Sequence, residues 1–235
     1  MDHSEIDENP ENITYYYNIS YTDYGVYQAK IFAIDEKGLS NESDLYNFTI
    51  ASKYNVSTLK HGWNFISLPV NTTVPKYHLR ILVNQTEYDW NKSIEQMFIN
   101  PTLFGWVRNS QSYVFSDQLQ SGHGYWMYAN QDCGLLVLIQ KEHNVTGIYQ
   151  NQLQSYWNTV GIVNDEIYPK QTISVHWNNS SYSWMDAVNS SLLSTYVFGW
   201  NRENASYEFI DDFCPGYGYW LYAYEPVILK QSALR

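Results

Sequence analysis

Asparagine two places before serine or threonine is the acceptor for N-linked sugar. The chain presents it thirteen times, at Asn12, Asn18, Asn41, Asn47, Asn55, Asn71, Asn84, Asn91, Asn144, Asn178, Asn179, Asn189 and Asn204. Asn100 is excluded because Pro101 follows it. Random placement of the same residues would give about three such sites. Asn178 and Asn179 overlap, so sterically only one of them can carry a glycan. Charged residues make up 16% of the 235-residue chain, below the ~25% usual for globular proteins. The surface is then built from neutral polar residues that covalent sugar would keep soluble. The chemistry these sites imply is modification in a secretory route, which points to an extracellular, cell-surface glycoprotein.

The other reactive groups do not assemble into a site. His3, His61, His78, His123, His143 and His176 form neither H-x-H nor H-E-x-x-H, so no zinc set is expected. Calcium stays open as a ligand of acidic loops, although no EF-hand spacing occurs. Asp165-Glu166 and Asp211-Asp212 are adjacent carboxylates. A glycosidase holds its pair about 5–10 Å apart across a cleft, and these read instead as solvated loop charge. There is no G-x-S-x-G elbow and no Cys–His nucleophile pattern. The chain is therefore read as not an enzyme, with no cofactor beyond its expected glycans. Cys133 and Cys214 are the two cysteines; a disulfide and two buried thiols are both open. A net charge of −11 disfavours nucleic acid. The longest aliphatic run, Leu135 to Ile139, is far short of the ~20 residues that span a bilayer. The first residues lack the basic and apolar segments of a signal peptide, so a secreted chain would be a segment of a longer precursor.

An internal repeat organises these residues. Shifted by 94 positions, Leu59 to Ala129 matches the chain itself without a gap at 22 of 71 positions. Trp63-Asn64 falls on Trp157-Asn158, Phe104-Gly105-Trp106-x-Arg108 on Phe198-Gly199-Trp200-x-Arg202, and Gly122-x-Gly124-Tyr125-Trp126 on Gly216-x-Gly218-Tyr219-Trp220. Three domains follow: residues 1–52, a first repeat over 53–142 and a second over 143–235. Eight tryptophans form matched pairs, namely Trp63 with Trp157, Trp90 with Trp184, Trp106 with Trp200 and Trp126 with Trp220. Recurrent large aromatics are expected to be core; the rival reading is a row of exposed rings that stack on sugars. Trp177 and the exposed tyrosines are left as candidates for surface contact.

The fold class expected is mainly β: a partial immunoglobulin-like sandwich, then two tandem antiparallel β-rich repeats, each with one short helix. Alternation and β-branched or aromatic content predict strands over 63–70, 79–83, 103–108, 112–115, 124–129 and 135–139. The copy repeats them at 173–177, 196–202, 206–209, 218–224 and 226–230. Helical spacing appears over 90–98 and 184–192. The paired glycines at Gly122 and Gly124, and at Gly216 and Gly218, read as a tight bend that feeds a strand. In the first fifty residues, strands are expected over 14–21, 25–34 and 44–50, with a turn at Asp35-Glu36-Lys37-Gly38. Gly25-x-Tyr27, Ala33-x-Asp35 and Gly38 give the closing pattern of a sandwich that needs about seven strands. The missing strands would belong to a larger protein, or come from another subunit by strand addition.

Gly62-Trp63-Asn64-Phe65-Ile66-Ser67-Leu68-Pro69 with Gly122-His123-Gly124-Tyr125-Trp126 resembles the GWN-ISLP…GxGYW repeats of large archaeal and bacterial surface-layer-like glycoproteins. In those proteins the repeats often follow polycystic-kidney-disease-type or fibronectin-III-like domains, and Gly25 to Ile50 resembles the end of such a domain. The second copy departs at Tyr156-Trp157-Asn158-Thr159-Val160-Gly161, where a glycine bend is expected to be lost. The resemblance implies an exported structural protein of an envelope or filament. Its partners would be copies of itself or neighbouring domains, and it implies no catalytic residues. A carbohydrate-binding or adhesion module of a secreted protein is the alternative.

Overall fold

The computed structural model describes residues 25–35, 37–139 and 147–232. The strand expected over 14–21 and the sequons Asn12, Asn18 and Asn144 lie outside them, as do His3 and His143. The chain divides into a unit before Lys53 and a unit that contains both repeats.

The described part of the first unit is one antiparallel hairpin. Gly25–Ala29 pairs with Tyr46–Ile50, and Phe32–Ile34 pairs with Ser40–Glu42. Asp35 closes the turn as its sequence suggests: Oδ1 accepts from the Lys37 and Leu39 amides at 2.9 and 2.8 Å, and Gly38 takes φ +83°. The ladder breaks where the Ser43 Oγ accepts from the Ile31 amide at 3.0 Å, so the strand expected over 25–34 appears in two pieces and the one over 44–50 shortens to Tyr46–Ile50.

Each repeat is a pair of four-stranded antiparallel sheets with one short helix. In the first repeat one sheet runs Ser112–Phe115, Ile99–Val107, Gly124–Ala129, Gly62–Ser67, and the other runs Ser52–Leu59, Cys133–Ile139, Leu79–Val83, Thr86–Asp89. The second repeat copies both orders: Ser206–Ile210, Leu193–Asn201, Tyr219–Ala223, Tyr156–Val160; and Ile148–Leu153, Val227–Ser232, Ser174–Trp177, Ser180–Tyr182. Sequence reading missed the first strand of each repeat, Ser52–Leu59 and Ile148–Leu153. Both are polar for much of their length.

Local chemistry sets the joints. The helices Trp90–Glu95 and Trp184–Asn189 start on Asp89 and Ser183, whose side chains accept from the amides of Lys92 and Asp186. They end earlier than their spacing suggests, because Met97 and Ser191 turn left-handed at φ 56° and 55°. The Phe98 and Leu192 amides then return to the carbonyls of Ser93 and Ala187, which is a Schellman-type stop. Asn84-Gln85 and Asn178-Asn179, all at positive φ, form the two-residue hairpin turns.

Between the two sheets of each repeat lies its own core. The first gathers Ile66, Ile81, Trp90, Leu103 and Met127; the second gathers Ile173, Val175, Trp184, Val197 and Leu221. The Asn of each Trp-Asn pair is buried and staples the preceding turn. Asn64 Nδ2 donates to the carbonyls of Lys60 and Gly62, and Asn158 Nδ2 donates to those of Gln154 and Tyr156.

The bend at the start of the second copy is kept. Tyr156 occupies it at φ 76°, where Gly62 stands at φ +104° in the first. A bulky residue in the left-handed region is strained. Tyr156→Gly is expected to stabilise the protein by about 0.5–1 kcal/mol, read as a higher urea midpoint with an unchanged m-value.

Candidate functional site

The two repeats hold each other by reciprocal contacts. The Trp106 indole N–H donates to the Trp157 carbonyl at 2.9 Å, and the Trp200 indole N–H donates to the Trp63 carbonyl at 2.8 Å. The Ser67 amide donates to the Gly216 carbonyl at 3.1 Å, and the Gly161 amide donates to the Gly122 carbonyl at 3.2 Å. Arg108 reaches Asn151 Oδ1 and the carbonyls of Gln152 and Thr159; Arg202 reaches Ser57 Oγ and the Thr58 carbonyl. Residues 57 and 58 of the first repeat correspond to 151 and 152 of the second, so each arginine clamps the same strand in the opposite repeat. This is the geometry of an isologous dimer interface within one chain.

The glycine pair makes the close approach feasible. Gly122 and Gly216 take φ +73° and +78°, and a Cβ at Gly216 would lie 1.9 Å from the Val56 carbonyl oxygen. At Gly218 a Cβ would sit 2.8 Å from the Phe65 ring, so that position needs glycine for space.

Between the repeats lies a third apolar cluster, built on Phe65, Trp126 and Trp220. Phe65 stacks on Trp126 at 4.5 Å and 6° and tilts against Trp220 at 5.7 Å. On either side of it opens an aromatic pocket. One, of about 410 Å³, is lined by Trp63, Phe104, Tyr113, Trp126, Trp200 and Tyr207. The other, of about 420 Å³, is lined by Trp157, Phe198, Tyr207, Trp220, Trp106 and Tyr113. These are the same residues exchanged between repeats. Both pockets share Tyr113 and Tyr207. Burial first, then Tyr207, raises the Tyr113 phenol above its usual value.

The paired tryptophans therefore do three different things. Trp90 and Trp184 are buried inside their own repeats. Trp126 and Trp220 are buried between repeats, with Trp106 and Trp200 packed beside them. Trp63 and Trp157 are not core: they remain 43% and 38% exposed. They lie on the sheet face that turns away from the repeat's own core, and the opposite repeat covers that face only in part. Trp177 packs partly on the second core and borders a cleft with His176, Asn178 and Asn179.

Cys133 and Cys214 are both free. Cys133 occupies the position of the buried Val227, and burial, with Asp132 beside it, pushes its thiol up to about 11. It serves as a small core side chain. Cys214 sits in the bend held by the Tyr219 hydroxyl. No three His, Cys, Asp or Glu side chains converge as a metal set among the described residues. Asp165 accepts from the Tyr54 hydroxyl, Asp211 pairs with Lys170, and Glu166 and Asp212 are exposed.

All ten described sequon asparagines, Asn41, Asn47, Asn55, Asn71, Asn84, Asn91, Asn178, Asn179, Asn189 and Asn204, are exposed. Of the eight other described asparagines, Asn64, Asn151, Asn158 and Asn164 are buried and Asn201 is partly buried. Sequence reasoning missed the clamping arginines, although Arg108 and Arg202 are matched by the repeat. It also missed Phe65, which the repeat replaces with Thr159. No protein-family model, curated protein or solved structure matches this chain.

Two predictions test the interface. Arg202 has no carboxylate partner among the described residues; Nη1 makes both of its hydrogen bonds and its guanidinium lies 3.9 Å over the Tyr217 ring, so its hold combines those bonds with the stacking of a flat cation. Arg202→Ala is expected to lower stability by about 2–3 kcal/mol, and Arg202→Lys by most of that. A urea-unfolding difference under ~0.5 kcal/mol would reduce the contact to a surface feature.

His123 supplies the pH dependence. It sits in the glycine bend, where burial first and the Arg108 charge second depress its imidazole to about 3, against ~6.5 in the unfolded chain. The folded state therefore holds fewer protons in this window. Stability is full above pH ~6.5 and falls as the pH drops toward 3. The second repeat carries Tyr217 there, and His123→Tyr should flatten the melting temperature between pH 6.5 and 4 relative to the parent.

Proposed function

We propose that the chain is a structural, N-glycosylated module of an extracellular surface-layer or filament protein. The observation that carries this reading is the sorting of asparagines. Every described acceptor is exposed, whereas half of the described asparagines outside the motif are buried. An oligosaccharide needs an acceptor reachable from solvent, and random scatter of sequons over this fold would have put some inside.

The architecture supports a mechanical role. Two copies of one β-unit are clamped face to face by reciprocal hydrogen bonds and an aromatic cluster, so extension of the chain must break that interface together with the sheets. Sugar on Asn84, Asn178 or Asn179 would shield hairpin turns from proteases and from edge pairing. The exported, multidomain setting comes from the resemblance of the Gly-Trp-Asn and Gly-Tyr-Trp segments to surface-protein repeats. No helix among the described residues is long and apolar enough to cross a membrane.

Peptide mapping of protein from its native cells, with site-specific mass readout of glycan, tests the reading. Sugar is expected on several of the ten exposed asparagines, and on one but not both of Asn178 and Asn179. Bare asparagine at every site would overturn it.

A further inference from the structure

We propose that the two pockets between the repeats are aromatic cages for an organic cation with a quaternary or trimethylated ammonium head. The first support is what lines them. Every lining side chain is Trp, Phe or Tyr. The walls stand near right angles: Trp63 to Trp126 at 88° and Trp126 to Tyr207 at 86° in one pocket, Trp157 to Trp220 at 87° and Tyr113 to Trp220 at 85° in the other. Perpendicular rings surround a compact head with π density from several sides, which is the arrangement that holds an ammonium whose charge is covered by methyl groups.

Hydrogen-bonding capacity gives the second support. The Trp200 and Trp106 indole N–H groups are spent on the carbonyls of Trp63 and Trp157, and the Trp126 indole N–H is buried without a partner among the described residues. No carboxylate, amide or basic side chain lines either pocket, so a sugar ring would lack the planar polar groups that replace the water on its hydroxyls. A trimethylammonium head asks for none. No lysine or arginine lines either pocket, and the chain carries a net charge of −11, so the surrounding field favours a cation over a neutral or anionic ligand. The volumes, about 410 and 420 Å³, lie within the roughly 300–1,000 Å³ of small-molecule sites.

Retention within the repeat is the third. The five positions that supply both pockets are Trp63, Phe104, Trp106, Tyr113 and Trp126. All five are identical in the copy, against 22 of 71 positions for the aligned stretch. Core neighbours have drifted meanwhile: Ile81 is Val175, Leu103 is Val197, Leu119 is Phe213 and Met127 is Leu221. Parts of the core are kept as well, Leu59, Trp90, Tyr125 and Ala129 among them, but no pocket position has changed.

The test uses chain produced without glycans, so its result does not depend on glycosylation. Calorimetric and ligand-observed NMR titrations compare tetramethylammonium and choline with 3,3-dimethylbutan-1-ol, the uncharged carbon isostere of choline. Choline is expected to bind at two sites, about tenfold more tightly than the isostere. Trp63→Leu and Trp157→Leu keep an apolar side chain but remove the π face, and are each expected to remove one site, with the fold checked by near-ultraviolet circular dichroism. Sedimentation with phosphatidylcholine vesicles distinguishes a lipid headgroup from a free cation as the source. The proposal is overturned by equal affinity for the isostere, by saturable binding of cellohexaose but not choline, or by no saturation with any cation. The isostere comparison needs no variant, so a Trp63→Leu chain that fails to fold leaves it decisive.

Discussion

The structure depends on two indole N–H groups that each donate to a backbone carbonyl in the other repeat. Trp106 and Trp200 reach across to Trp157 and Trp63. Arg108 and Arg202 add hydrogen bonds to the opposite repeat, through both Nη atoms of Arg108 and Nη1 of Arg202, while Arg108 Nε and Arg202 Nε and Nη2 are buried without a partner among the described residues. Each such bond replaces one to water and contributes about 0.5–1.5 kcal/mol net, so the reciprocal set fixes the register of the two repeats while the apolar cluster between them supplies most of the attraction. Face-to-face pairing follows, and the aromatic cluster on Phe65 and the pockets beside it are consequences of that pairing.

Much of this was legible in the sequence, and the part that was not has a physical reason. Strand alternation placed Trp63 and Phe65 on one face and Asn64 and Ile66 on the other, but both faces of that sheet are covered, one by the repeat's own core and one by the other repeat. Periodicity can tell two faces apart; it cannot say which neighbour covers each, because both neighbours want apolar side chains. Trp90 and Trp126 therefore look alike in sequence, while one is core and the other interface. The helix ends were misjudged for a related reason. Phe98 and Leu192 continue the apolar spacing, and it is the left-handed turns at Met97 and Ser191, residues with no special preference for them, that stop the helix.

Asparagine carries two opposed jobs in this chain. Asn64 and Asn158 are buried with their amides satisfied by backbone, and Asn151 is buried between Arg108 and the Gly122 carbonyl. None of the three lies in a sequon, and a glycan on any of them would be incompatible with the fold. The described sequons occupy turns and bends, helix surfaces and strand faces that point outward. Sequence alone could count the motifs; their sorting from the structural asparagines became visible only with burial assigned.

Duplication explains the symmetry, and the axis explains its defects. Near an approximate twofold, equivalent positions crowd the same space, and two identical large side chains cannot both fill it. The chain differs there: Phe65 occupies the centre while its counterpart is the smaller Thr159, and Ser67 faces Gly161, where a Cβ would lie 2.3 Å from the serine Cβ. Away from the axis the two halves keep their Trp, Phe, Tyr and Arg contacts. A homodimer of single repeats would carry the same residue at both positions, so serine at this point would meet serine. Joining two copies in one chain freed each half to change alone at the crowded point, which is how the interface could close as tightly as it does.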